Sequence, residues 1–209
     1  MTIKALILQG EGEQLDFKNK ISNCEKIAKT LVAFANNKGG KLLVGVADDG
    51  TIKGIKNEEE EKYMLQRAGS MYCRPAIEPH FDEVYIDDKL ILVADIAESD
   101  TKPHYALDEN KNWWVYIRVE DKSLLAGKVT VDVLHRSHGA KGILIRYTEK
   151  EQQLLTYLHT HEKSQLPELS KHLQLSKRQT QRILVNLILA GIIEVHNQDH
   201  QEYYTERPI

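Results

Sequence analysis

The run Ser176-Lys177-Arg178-Gln179-Thr180-Gln181-Arg182 holds three cations and four hydrogen-bonding side chains and no acid. It opens a stretch, 177–190, in which Ile183, Leu184, Leu187 and Ile188 recur at helical spacing. Ser176 suits the N-cap, and Lys177, Arg178, Gln181 and Arg182 then face away from the apolar stripe. With Gln179, these are side chains that reach phosphates and base edges when a helix enters the major groove. Cations at this end oppose the helix dipole, which points to a purpose other than helix stability. The competing reading is a solvated helix start in a domain used for protein contacts.

A second group is acidic. Glu11, Asp16, Asp48 and Asp49 all fall at predicted strand ends or turns. Asp48-Asp49-Gly50 suits a hairpin turn without further chemistry, and Glu11 can pair with Lys18 or Lys38. Lys18 directly follows Asp16-Phe17, where a phosphate-positioning group would stand. Lys38, Lys41, Lys102 and Arg118 are the other basic positions singled out, and Arg118 alternates with inward residues in Tyr116-Ile117-Arg118. Asn37-Lys38-Gly39-Gly40-Lys41 is glycine-rich, but its glycines follow a helix and precede a strand. A phosphate-binding loop has the reverse order and needs Gly, four residues, Gly-Lys-Ser/Thr. None of the nine histidines pairs with a cysteine at zinc-ligand spacing, so no structural zinc is expected.

The elements that position these residues follow from periodicity. Residues 3–9 and 14–18 read as strands. Ser22 or Asn23 caps a helix running to about Asn37, whose apolar face holds Ile27, Leu31, Val32 and Phe34. Leu42–Val46 is a strand covered on both faces, followed by the 48–50 turn and a return strand over 51–55. Asn57 caps an acidic helix start that runs to about Cys73. Strands follow over 81–86, 90–96 and 113–119, with a short helix over 129–135. Gly139-Ala140-Lys141-Gly142 breaks the composition and reads as a linker. Beyond it come helices over 149–159, 166–173 and 177–190, and strands over 192–196 and 202–205. That order, in about 60 residues, resembles a winged helix-turn-helix.

The stretch AFANNKGGKLLVGVADDGTIKGI resembles the centre of the Schlafen AlbA-like domain. Upstream, Glu11 and Asp16-Phe17-Lys18 are similar to that family's opening motif of Glu, four residues, Glu-Phe-Lys, with Asp16 in place of the usual Glu. Downstream, Lys102-Pro103-His104-Tyr105 and Val115–Val119 are similar to its closing elements. The resemblance covers residues 8 to 125 and implies an α+β, mixed-sheet domain, so the chain reads as an N-terminal Schlafen AlbA-like domain (1–138) and a small winged-helix domain (143–209). It implies two further things. In Schlafen nucleases, equivalent acids form a metal-dependent RNA-cleaving centre; carried over, these are Glu11, Asp16 and Asp48 or Asp49, with Mg or Mn as the metal. Many bacterial domains of the family are nucleic-acid binders instead, and Schlafen proteins place two such lobes in one chain, which implies a homodimer here.

Composition limits the choice. The 209 residues are 41% apolar, with a net charge of -3, so the whole chain is not a basic nucleic-acid binder and any such surface is local. From Lys141 on there are nine Lys/Arg against eight Asp/Glu. One copy would therefore bind weakly, and a dimer reading two half-sites fits better. No run approaches the ~20 apolar residues of a membrane span, and the N-terminus lacks a signal-peptide pattern. Cys24 and Cys73, far apart in sequence, read as buried free thiols of a cytoplasmic protein. The expected function is DNA binding by a bacterial transcriptional regulator without cofactor, with RNA as a possible partner and a metal-dependent ribonuclease as the alternative.

Overall fold

The computed structural model describes residues 2–137, 147–161, 163–198 and 201–207. The linker expected over 139–142 lies outside them, as do residues 199–200. The chain divides into two compact units, Met1–Leu125 and Ala126–Ile209. The division falls ahead of the boundary expected at 138, because helix α4 (Lys128–Arg136) packs on a helix of the second unit, α7 (Lys177–Leu189).

The first unit is built on a mixed four-stranded sheet in the order β1 (Leu15–Lys18), β2 (Gly40–Val44), β5 (Lys89–Ile96), β4 (His80–Ile86). Strands β1 and β2 run parallel, and the other pairs are antiparallel. Two parallel neighbours need a crossover, and α2 (Cys24–Asn36) supplies it. Its buried face, including Ile27, Leu31, Val32 and Phe34, packs on Leu42, Val44, Leu92 and Ala94. The opposite sheet face carries Phe17, Leu43, Ile91 and Val93. Strand β2 is thus apolar on both faces, as its sequence requires.

Residues 3–9 are not a strand but a helix, α1 (Ile3–Gln9). Thr2 caps it by accepting from the Ala5 N–H, and Ile3, Leu6 and Ile7, at helical spacing, pack on the second sheet face. Leu8 is 88% exposed, which a helix allows and a buried strand would not. The return strand expected over 51–55 reduces to a single bridge between Val46 and Ile52. Helix α3 (Glu58–Met71) is capped by Asn57 as expected, and Cys73 belongs to β3 (Cys73–Arg74). The strand expected over 113–119 splits at Val115. Its first part, β7 (Trp113–Trp114), pairs with β6 (Tyr105–Leu107); its second, β8 (Tyr116–Val119), pairs with β9 (Lys122–Leu125). Both cysteines are free and buried, and burial pushes the Cys73 thiol up to about 12.

In the second unit, α5 (Glu149–Thr160), α6 (Leu166–Leu173) and α7 precede an antiparallel hairpin, β10 (Ile193–Gln198) and β11 (Gln201–Glu206). The order is compatible with a winged helix. Leu154, Leu158, Leu169, Leu173, Leu184, Leu187 and Tyr204 form its core. Among the described residues no helix is long and apolar enough to cross a membrane.

Candidate functional site

The turn between α1 and β1 brings Glu11 and Asp16 together. Gly12 and Leu15 bridge one another, and the Glu11 Oε1 accepts from the Phe17 N–H at 2.7 Å. Asp16, on the opposite side of β1 from Leu15 and Phe17, turns toward α2. There it meets Arg118 of β8. Arg118 Nη2 lies 3.0 Å from Asp16 Oδ1 and also donates to the Leu15 carbonyl; Nε donates to the Gly12 carbonyl and Nη1 to Ser123 Oγ. The guanidinium sits over the Phe34 ring and is 3% exposed, as is Asp16. Lys18 Nζ stands 3.0 Å from Asp16 Oδ2 and 4.0 Å from Glu11 Oε1. Asp16 Oδ2 nevertheless makes no hydrogen bond, and Lys18 donates to the Phe17 carbonyl. Burial, and then the Asp16 carboxyl beside it, push Glu11 above the usual carboxylate range.

Neither Asp48 nor Asp49 completes a metal cage with this pair: among the described residues no three His, Cys, Asp or Glu side chains are placed to hold an ion. Asp49 is exposed, and the Thr51 hydroxyl, followed by the Thr51 N–H that donates to it, holds it below its ordinary value. It is a turn residue. Arg118 is the clearest correction to the sequence-based expectation. The alternation in Tyr116-Ile117-Arg118 puts it on the face opposite the inward residues; burial and four hydrogen-bond partners remove it from any surface. Lys102 donates to the Asn37 carbonyl at the end of α2, and Lys41 pairs with Asp95. Lys38 is exposed.

The asparagines after α2 do more than stop a helix. Asn36, 2% exposed, accepts from the His104 N–H and donates to the His104 and Tyr116 carbonyls. Asn37 makes the same two-way exchange with the backbone of Arg118. His104 is buried between the Pro75 carbonyl and Ser99 Oγ, and burial lowers its pKa. The Asn36, Asn37 and His104 side chains stitch the segments that carry the motifs into one cluster. The sequence signal for this role is two adjacent amides directly after the apolar run 31–35. Elsewhere in this unit a cleft of about 520 Å³ opens beside Lys20, Ile55 and Lys56, where Glu61 accepts from the Ile21 N–H and burial raises its pKa.

Helix α7 has a different character. Ser176 and Gln179 close a capping box, so the Gln179 amide oxygen is committed to the Ser176 N–H and hydroxyl. Thr180 is fully buried. Gln181 was expected to face outward; it is 6% exposed and donates to Asp132 of α4. Lys177, Arg178 and Arg182 remain exposed, and none makes a hydrogen bond or ion pair among the described residues. The acids of this unit behave oppositely. Glu151 and Glu168 close capping boxes, Glu194 pairs with Arg207, and Glu206 lies beside His159. Glu202 caps α4 by accepting from the Val129 and Thr130 N–H groups and the Thr130 hydroxyl. Glu149 accepts from Gln153. Sequence reading found the cations and missed Glu202 and Asp132, which act across long sequence separations.

The first unit is therefore an α+β domain whose motif residues hold one another in a buried cluster below a mixed sheet. The family model described as "Schlafen, AlbA_2" matches residues 11–126, more than half of the chain, and the protein belongs to that family. Two solved structures are similar at 18% identity. One is the DIP2311 protein from Corynebacterium diphtheriae, with a TM-score of 0.46, covering 71% of this chain and 33% of that one. The other is the N-terminal domain of a putative ATP-dependent DNA helicase RecG-related protein from Nitrosomonas europaea, with a TM-score of 0.41, covering 71% and 97%. No curated protein matches the chain.

Proposed function

We propose that this protein binds nucleic acid, and that it is a bacterial transcriptional regulator that holds duplex DNA through α7 of a C-terminal winged helix. The observation that carries the reading is the imbalance of partners in the second unit. Lys and Arg barely outnumber Asp and Glu there, yet the described acids are engaged locally while Lys177, Arg178 and Arg182 stand open on one helix. An unpaired cationic stripe on a rigid helix is what phosphate and base-edge contacts require. Three cations make a weak site, so the protein acts as a homodimer on two half-sites. The first unit supplies the dimer contact or a second surface around Lys18 and Lys38. Membership of the Schlafen AlbA_2 family is in keeping with this reading.

A metal-dependent ribonuclease finds less support, because Asp16 is committed to Arg118 and the turn acids stand apart from Glu11. The test is retention of duplex DNA by the full chain over a salt series. Affinity should fall steeply with salt, and Arg178→Ala with Arg182→Ala should lower it about tenfold or more and flatten the salt slope. Salt-insensitive or absent retention would sink the reading. Metal-dependent RNA cleavage lost in Glu11→Gln would put the ribonuclease in its place.

A further inference from the structure

The structure narrows what α7 can read. Three neutral side chains in its opening turns would ordinarily address bases; two of them are buried, and the third, the exposed Gln179, has its amide oxygen tied into the capping box. Gln179 closes the capping box, Thr180 is buried with its hydroxyl on the Ser176 carbonyl, and Gln181 is buried against Asp132. An amide reads adenine by using its oxygen on N6 and its nitrogen on N7 together, and the Gln179 oxygen is already engaged by the Ser176 N–H and hydroxyl. Nor do these turns expose an apolar side chain for a thymine methyl group. What remains is a point charge, Lys177, at the first helical position, and two planar donor forks, Arg178 and Arg182.

We infer that this helix selects guanine, with Arg178 and Arg182 as its specificity-determining residues. The inference rests on the DNA-binding reading above. A guanidinium fork matches the paired acceptors O6 and N7 that guanine presents in the major groove. The two arginines are four residues apart on one helix, so they share a face and are separated by about 6 Å along its axis. Two base steps of about 3.4 Å span nearly that distance. The preferred ligand is therefore a duplex with guanines two steps apart, and Lys177 contacts the backbone without discriminating among bases.

Alternating poly(dG-dC) has this spacing on each strand, and alternating poly(dA-dT) has no guanine. The full chain is titrated by fluorescence anisotropy against equal-length duplexes of each, and against the first with 7-deazaguanine, which lacks the N7 acceptor. The guanine duplex should bind about tenfold or more tightly than the A·T duplex, and 7-deazaguanine should remove most of that advantage. Arg178→Lys with Arg182→Lys keeps both charges, so salt-sensitive retention should persist while the preference shrinks; circular dichroism confirms that the variant is folded. Equal, salt-sensitive affinity for all three duplexes overturns the guanine inference and leaves DNA binding standing. Full preference retained by the lysine variant overturns the residue assignment. Failure to retain any duplex overturns the DNA-binding reading and this inference together.

Discussion

Arg118 in the first unit and Arg178 and Arg182 in the second are the same side chain in opposite circumstances. Arg118 is 3% exposed and its donors reach Gly12, Leu15, Asp16 and Ser123. Arg178 and Arg182 are exposed and have no hydrogen bond or ion pair among the described residues. A buried guanidinium is tolerable only when paired and hydrogen-bonded, so once the fold uses it to hold β8 against β1 it is lost to any partner. An exposed guanidinium contributes little to stability and remains available. Residue type and motif membership therefore do not separate structural from functional cations; the partners already in place do.

The strongest way to break this contrast is to remove Arg118. Arg118→Ala leaves the Asp16 carboxylate buried beside Glu11 with only Lys18 near, and the first unit should lose about 3–5 kcal/mol. Chemical denaturation followed by the Trp113 and Trp114 emission reads that loss. Both tryptophans lie in the first unit, so the second unit is followed by far-ultraviolet circular dichroism, where Arg178→Ala should change stability by less than about 0.5 kcal/mol. Comparable losses in the two variants would mean that the exposed arginine has a structural partner and that the contrast is false.

A smaller effect sharpens the picture within the second unit, where acids rather than cations hold the fold. The Glu202 carboxylate on β11 caps α4, whose own N-cap, Gly127, offers no side chain. Tyr204 also donates to it, and burial, followed by the nearby carboxylate, raises the Tyr204 pKa. A Cβ at residue 127 would lie 2.2 Å from the Glu202 carboxyl carbon, so glycine there allows the close approach. Glu202→Gln keeps the shape and removes the charge, and should cost about 1–2 kcal/mol of second-unit stability by thermal unfolding. Retention of duplex DNA by the folded variant should be nearly unchanged, because Glu202 lies on β11 and not among the exposed cations of α7. A large loss of affinity without loss of stability would place the hairpin acids in the binding surface.

Much of this was legible in the sequence wherever a signal was local. The α2 to β2 segment, the Asn57 cap and the helical stripe of α7 each depend on residues within one or two turns of one another. The failures have a common cause. Ala5-Leu6-Ile7-Leu8 is apolar throughout and has no period of its own, so whether it became helix or strand depended on the sheet face it covers. The outward assignments of Arg118 and Gln181 failed because Asp16 and Asp132, their partners, lie 102 and 49 residues away. The Glu11 and Asp16 pairing was visible as a motif, but its chemistry was not, since the arginine that engages Asp16 comes from another strand.

The smallest effect concerns pH and belongs to the first unit. Burial lowers the folded-state pKa of His104 below its ordinary 6.5, so folding favours the neutral imidazole. The unfolded chain then binds more protons below pH 6.5, and stability must fall as pH drops from there through the folded value. One proton sets the ceiling, about 1.4 kcal/mol per pH unit. Glu11 acts with the opposite sign: its value is raised above 4.5, so its contribution is present below 4.5 and is lost as pH rises through the folded value. Glu61, also raised by burial, has the same sign as Glu11, so a Glu11→Gln plus Glu61→Gln background isolates the histidine from both. In that background, urea midpoints between pH 5 and 7 should decline toward acid, and adding His104→Gln should flatten the decline even though it lowers every midpoint. A slope that survives His104→Gln would assign the titration to another group and remove His104 from the set of first-unit side chains whose burial governs the charge they can carry.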